Sequence, residues 1–339
     1  MLPSIFESKQ ISGPINIMRL ANTSTSSSTS TPQLKTIYIY IDASYNYNQS
    51  RCSDIFSLPI DNYLINQFTK YSSQDRPFKL DFITSMSQST NQSQSHPSLY
   101  DSRISVLLDR LLVYDPNNKD KVIVDSDHFS QVRFHYVPLL KPIRHDVGFS
   151  TAIRDDPMYS KLLKSTYYSS SQVHAQFTSI YQDTIKPMIT KFEQLEAAQP
   201  EQDELTISPT LLQRLKLNDV GLGNVYSSQL EKHEYDMRTL AHNIRAALSS
   251  LYCVRRIIDK DYIKTAVLYI NDVAATYMVD VLCKNFGFRV THDAKANKPI
   301  DQVNQDVIAA SSMYDQYTNV VPDVLYQCCD VGMFPELFE

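Results

Sequence analysis

The sequence predicts an α+β fold, with a mixed, β-containing N-terminal half and a mainly α-helical C-terminal half. Three observations carry that expectation. Residues 35–41, KTIYIYI, alternate Ile with Tyr at the two-residue period of a strand. Beyond Ser228, apolar residues recur at Met237, Leu240, Ala241, Ile244, Leu248, Leu251, Val254 and Ile258, which is the period of a helix. Two polar tracts, 21–33 and 85–98, are built of Ser, Thr, Asn and Gln and can pack no core, so they read as loops between the front elements.

Taken in order, the strand at 35–41 places Ile37, Ile39 and Ile41 on one face and Tyr38 and Tyr40 on the other. Residues 78–83 form a further strand, 104–114 a helix, and 121–125 and 131–140 two strands rich in Val, Ile, Phe and Tyr. Asp156-Pro157 is a cap followed by Pro at the first helical position. Helical spacing then runs to 198, with a kink expected at Pro187. An acidic linker at 200–204 precedes Ser208-Pro209, which opens a short helix. Ser228 and Glu231 form a capping box for the long helix, and Asp261 opens a second one carrying Ile263, Val267, Ile270, Ala274, Tyr277 and Val281, closed by Gly287. A third helix is expected over 299–317, and Pro322 starts a short one. The predicted organisation is a flexible segment at 1–33, a mixed region at 34–150, a helical region at 151–330 in one unit with it, and a C-terminal arm at 331–339.

Composition narrows the function classes. With 339 residues, 42% hydrophobic and 20% charged, the chain is globular, and its net charge of −5 opposes a surface that coats nucleic acid throughout while leaving room for a local basic patch. Only six glycines leave little material for phosphate-cradling loops. The five cysteines, Cys52, Cys253, Cys283, Cys328 and Cys329, are odd in number and scattered, which predicts neither a disulfide framework nor zinc and suits a reducing compartment. Residues 1–20 lack the pattern of a signal peptide, and apolar runs such as 266–270 are too short to span a bilayer, so a cytoplasmic protein with no membrane role is expected.

No motif specifies chemistry. Gly221 and Gly223 precede a helix but follow no strand, and Tyr226 stands where a dinucleotide fingerprint needs its third glycine. His233-Glu234 lacks the second His of a zinc-protease helix, because Met237 holds that position. Asp125, Asp127 and His128, and His135, His145 and Asp146, read as turn capping, and Cys328-Cys329 as a pair of small semi-buried residues. We therefore expect no catalytic residue, metal, cofactor or small-molecule substrate.

Two surfaces remain. Arg238, Arg245 and Arg256 fall on one stripe of the long helix, with His242 and Lys260 beside it and Tyr235 and Tyr252 near its margins; such a row can track a phosphate backbone. A solvated face paired with Glu231, Glu234, Asp236 and Asp259 is the alternative. The tail sets Met333, Phe334, Leu337 and Phe338 between acids and reads as an arm for docking on another subunit or on its own chain.

The Ser/Thr tract at 21–33, the Tyr38–Tyr40 strand region, the helices between Ser228 and Gly287 and the arm from Met333 to Glu339 together resemble the viroplasm matrix proteins of plant reoviruses, the fijivirus type in particular. That resemblance implies self-association into dimers and larger rings linked by the C-terminal arm. It also implies binding of single-stranded RNA and residence in host cytoplasm. The expectation is thus a non-enzymatic, self-assembling viral non-structural protein. The alternatives are a structural or host-interaction protein without nucleic-acid binding, and an enzyme of unrecognised type.

Overall fold

Strands β1 (Gln10–Ser12), β2 (Asn16–Asn22), β3 (Thr36–Asp42), β4 (Ser50–Arg51) and β5 (Leu58–Pro59) open the chain and lead into helix α1 (Ile60–Ser72). Then come β6 (Leu80–Met86), α2 (Ser105–Leu111), β7 (Leu112–Asp115), β8 (Asn118–Val124) and β9 (Val132–Pro138). Helices α3 (Ser171–Ile180), α4 (Lys186–Ala197) and α5 (Asn224–Ile258) follow, with a π-helical turn at Tyr181–Ile185 between the first two. The chain continues through β10 (Thr265–Asn271), α6 (Asp272–Phe286), β11 (Phe288–Asp293), α7 (Ile300–Ala309), α8 (Met313–Val320) and β12 (Tyr326–Asp330). The computed structural model describes residues 10–22, 34–42, 50–52, 57–86, 104–138, 171–198, 224–322 and 326–335.

The architecture is α+β. A six-stranded sheet in the order β11-β2-β3-β10-β6-β9 forms the centre. The run β3-β10-β6-β9 is parallel, whereas β2 lies antiparallel to both β3 and β11. Central parallel strands must be apolar on both faces because helices cover both. In β3, Ile37, Ile39 and Ile41 enter the cluster under α3 to α8, while Tyr38 and Tyr40 enter the one under α1 and α2, and all five are fully buried. Each such side chain contributes roughly 1.5–3 kcal/mol on burial. A four-stranded sheet, β4-β12-β1-β5, closes the α1 side. Gly13 permits the turn from β1 to β2: its φ is 124°, and a Cβ there would stand 2.7 Å from Ile60 Cγ2.

Several expectations need correction. The helix predicted from Asp261 begins instead at Asp272, because residues 265–271 form the central strand β10. Ala266, Leu268 and Ile270 face one cluster and Val267 and Tyr269 the other, so a run apolar on every side matches a doubly buried strand as well as it matches a helix. Asn271 ends the strand and caps the helix, accepting the Ala274 N–H at 2.8 Å, and Gly287 closes it in the left-handed region at φ 67° as expected. The third helix is two, since Ser312 and Asp315 form a capping box that starts α8. No short helix follows Pro322 within the described residues; Tyr326–Asp330 is strand β12. The long helix starts at Asn224, so Ser228 and Glu231 lie inside it.

At Pro187 the expected disturbance takes the form of the π turn just upstream, which accommodates the N–H that proline lacks. Cys52 and Cys328 are disulfide-bonded, a link the scattered cysteines did not suggest; β4 runs parallel to β12 with Arg51 opposite Gln327, which brings the next pair face to face. Among the described residues no helix is long and apolar enough to cross a membrane. The expected helices at 156–170 and 208–218 and most of both polar tracts lie outside the described residues.

Candidate nucleic-acid interface

The amino ends of β3, β6, β9 and β10 lie side by side, and the segments entering them form a basic, aromatic margin. Its foundation is a buried charge network. Asp81, the second residue of β6, is fully buried and stands opposite Arg133 of β9. Arg133 donates to both carboxylate oxygens, through Nε at 3.1 Å and Nη2 at 2.5 Å. This two-point geometry is one that guanidinium groups form readily. His135, two residues on and on the same face, meets Asp81 through Nε2, and Arg256 of α5 donates to its Nδ1 at 2.6 Å. An arginine can only donate, so Nδ1 accepts, and the ring proton sits on Nε2 and points at Asp81.

Lys35 fastens the end of α5 to this margin. Its ammonium donates to the carbonyls of Ile257 at 2.6 Å, Ile258 at 3.3 Å and Lys260 at 2.8 Å, occupying acceptors that a helix end leaves open. Burial pushes the Lys35 ammonium down to about 8.

Two rings stand out from this base. Tyr262 is 46% exposed, and the Arg133 guanidinium lies 4.4 Å from its ring centre. Phe78 is 44% exposed, with the Lys264 ammonium 5.2 Å from its ring centre. The Phe78 backbone is held because Tyr71 donates its hydroxyl to the Phe78 carbonyl at 2.8 Å. Lys79 is exposed beside it, and Arg76 lies over the Tyr71 ring. A cation on one side of an aromatic ring leaves the open side for a base to stack.

Of the row named from spacing, the residues whose side chains are described divide between the two edges of the sheet. Arg256 turns inward onto His135, and Lys260, 43% exposed, sits 3.7 Å from the Asp259 carboxylate at the amino margin. His242 lies toward the other edge of the sheet, where burial pushes its imidazole below the usual range and Asp272, at the carboxyl end of β10, opposes that shift. Fourteen residues of helix, about 21 Å, separate His242 from Arg256. Arg245 is half-buried one turn from His242, and the Arg238 side chain lies outside the described residues.

Of the arm, Met333 is 85% exposed, whereas Phe334 stacks 5.4 Å from the His292 ring of its own chain; Leu337 and Phe338 are outside the described residues. Asp125, Asp127 and His128 form a capped turn, with the Asp127 N–H on Asp125 Oδ1 at 3.0 Å and His128 on Oδ2 at 2.8 Å. Gly221, Gly223, His145 and Asp146 lie outside the described residues. Among the described residues no three His, Cys, Asp or Glu gather to hold a metal.

Phe78 and Tyr262 escaped the reading of the sequence, yet a signal was present. Each aromatic is flanked by cations within two residues, in RPFK at 76–79 and KDYIK at 260–264. Only the fold brings the two segments together, by pairing β10 beside β6.

Fold and margin define an α+β protein with a mixed central sheet and a basic, aromatic amino edge. The chain belongs to a family of unknown function, DUF5847, whose profile it matches over residues 9–188 and 228–339. Its relatives include three proteins of Acanthamoeba polyphaga mimivirus. Uncharacterized protein R160 is 38% identical over 95 residues, 27% of this chain and 21% of that protein. Uncharacterized protein R161 is 30% identical over 95 residues, 26% of this chain and 20% of that protein. The matched stretch thus spans about a fifth of the length of these two relatives. Uncharacterized protein R706 is 21% identical over an alignment that covers 98% of this chain and 97% of that protein. No solved structure matches.

Proposed function

We propose that the chain is a non-enzymatic viral protein that binds single-stranded RNA along the amino edge of its sheet. The observation that carries this reading is the pair of exposed rings, Phe78 and Tyr262, each with a cation beside its ring, on a chain whose net charge is −5. Stacking rings and phosphate-tracking cations are what sequence-tolerant single-strand binding requires. Arg76, Lys79, Lys260 and Lys264 are the cations placed to meet phosphates. Four contacts on a single strand give a slope of about −3 in log affinity against log salt. The self-associating, viroplasm-type role implied by the resemblance to plant-reovirus proteins rests, within this proposal, on the exposed Met333, Tyr314 and Ile308.

The test is fluorescence anisotropy with a labelled oligouridine of about 16 nucleotides at several salt concentrations. Phe78→Ala with Tyr262→Ala removes two stacking platforms and should weaken binding about thirtyfold, which is about 2 kcal/mol. An unchanged affinity and salt slope in the double variant would remove this edge from the interface. Absence of RNA binding by the wild type at low salt would favour a structural or host-interaction role.

A further inference from the structure

The opposite, carboxyl edge of the sheet carries a separate cavity. It occupies about 330 Å³ beyond the end of β11, between the segment 293–298 on one side and α7 and the end of α8 on the other. Because β2 runs antiparallel, its first residue, Asn16, lies on this same edge and completes the wall. Open sheets with parallel strands bind small ligands at their carboxyl edge, where successive crossover connections part in opposite directions. Here β3 connects through α1 to β6 on one side, and β10 connects through α6 to β11 on the other, so the parting lies between two adjacent strands. The cavity opens on the same carboxyl edge, beside β2 and β11 rather than at the parting itself.

Its lining is divided by chemistry. Val303, Val320 and Val321 supply an apolar wall. Facing them are Lys295 and Lys298, with Asp293 at the strand end. Lys298 is engaged, its ammonium 2.5 Å from Asp306 Oδ2. The Lys295 ammonium, half-buried, has no hydrogen bond or ion pair among the described residues. Asp293 is occupied from within: its Oδ1 accepts the Lys295 N–H at 2.9 Å, and burial pushes its carboxyl above the usual range. A half-buried ammonium with no ion-pair partner among the described residues leaves a local need for a negative group.

We propose that this cavity is a binding site for a small organic anion. The carboxylate or phosphate of the ligand pairs with Lys295, and its aliphatic body lies on Val303, Val320 and Val321. The volume stands at the lower end of ligand pockets and limits the ligand to about ten heavy atoms. This site is independent of the RNA edge, from which the length of the sheet separates it.

Isothermal titration of the full chain with hexanoate, and separately with inorganic phosphate, tests the assignment. Hexanoate should bind saturably, and both Lys295→Met and Val303→Phe should weaken it about tenfold or more. The Phe78→Ala, Tyr262→Ala double variant should bind hexanoate as the wild type does, so that failure at one edge is distinguished from failure at the other. Should Val303→Phe lose its helical circular dichroism, Lys295→Met alone decides. The proposal is overturned by absence of saturable heat with hexanoate up to about 10 mM, by phosphate binding alone, or by a hexanoate isotherm indifferent to Lys295→Met.

Discussion

Replacing Asp81 with Asn tests whether the buried charge network secures the amino edge. The substitution keeps shape and volume but removes the one acid that Arg133 and His135 both contact. Breaking a buried ion pair from one side typically costs about 3–5 kcal/mol, because the partner charge stays behind. Arg133 retains 29% of its side-chain exposure and the Asn carbonyl still accepts one bond, so the low end, about 3 kcal/mol, applies. Unfolding entropy of about 2.1 cal/mol/K per residue gives roughly 0.7 kcal/mol/K for a chain of 339 residues, and the expected fall in Tm is therefore about 4 °C. Scanning calorimetry measures it directly. A cycle with His135→Gln should show the two changes to be non-additive, since they share one carboxylate. A Tm within about 1 °C of wild type would refute the reasoning and make the network incidental to stability.

Three further outcomes are expected. Burial lowers Lys35 to about 8 from its ordinary 10.5, so between those values the unfolded chain holds this proton more tightly and the Lys35 contribution to stability rises with pH, against buried thiols and tyrosines that act in the opposite sense. From pH 8 to 10 the wild type should gain about 2 kcal/mol relative to Lys35→Met in urea titrations. Equal slopes in the two proteins would contradict the burial argument. Thiol titration without reductant should find three groups, Cys253, Cys283 and Cys329, and only after unfolding, because burial pushes each thiol up to about 12; reductant should raise the count to all five. Five reactive thiols without reductant would deny the Cys52–Cys328 bond. Deleting residues 333–339 should preserve helical circular dichroism and lower the native mass by light scattering if the arm links subunits, whereas an unchanged mass would confine Phe334 to its contact with His292.

What could be read from the sequence follows physical range. The strand at 35–41 and the helix through Ile244 and Leu251 were legible because their periods are local and repeated. Residues 265–271 were not: both strands are buried on both faces, but TAVLYIN lacks the alternation of Ile with Tyr that gives β3 its visible period. Helix α1 carries its period openly, with Ile60, Leu64, Phe68 and Tyr71 buried on one face; what it lacks is a start signal, since Pro59 precedes it and no side chain caps it. At the candidate site, Arg256 and Lys260 were found by helical spacing, but spacing cannot say that Arg256 points inward. That depends on Asp81 and His135, at least 121 residues distant in the chain. The Cys52–Cys328 bond spans 276 residues, and no local rule reaches so far.

The position of β10 between β3 and β6 also sets a timetable for synthesis. Thr265 pairs with Thr36 on one side and Leu80 on the other, so both early strands wait for a partner made much later. At about 5–20 residues per second, the ribosome needs roughly 10–40 s to pass from the end of β6 to the end of β10. Through that interval the apolar edges of β3 and β6 face each other across an empty slot, which is the condition under which nascent chains aggregate or engage chaperones. A fragment ending at residue 260 should therefore show the narrow amide dispersion of an unfolded chain in NMR spectra, and a well-dispersed spectrum would contradict this. The protein is in this sense a late folder, whose middle is completed by nearly its last quarter.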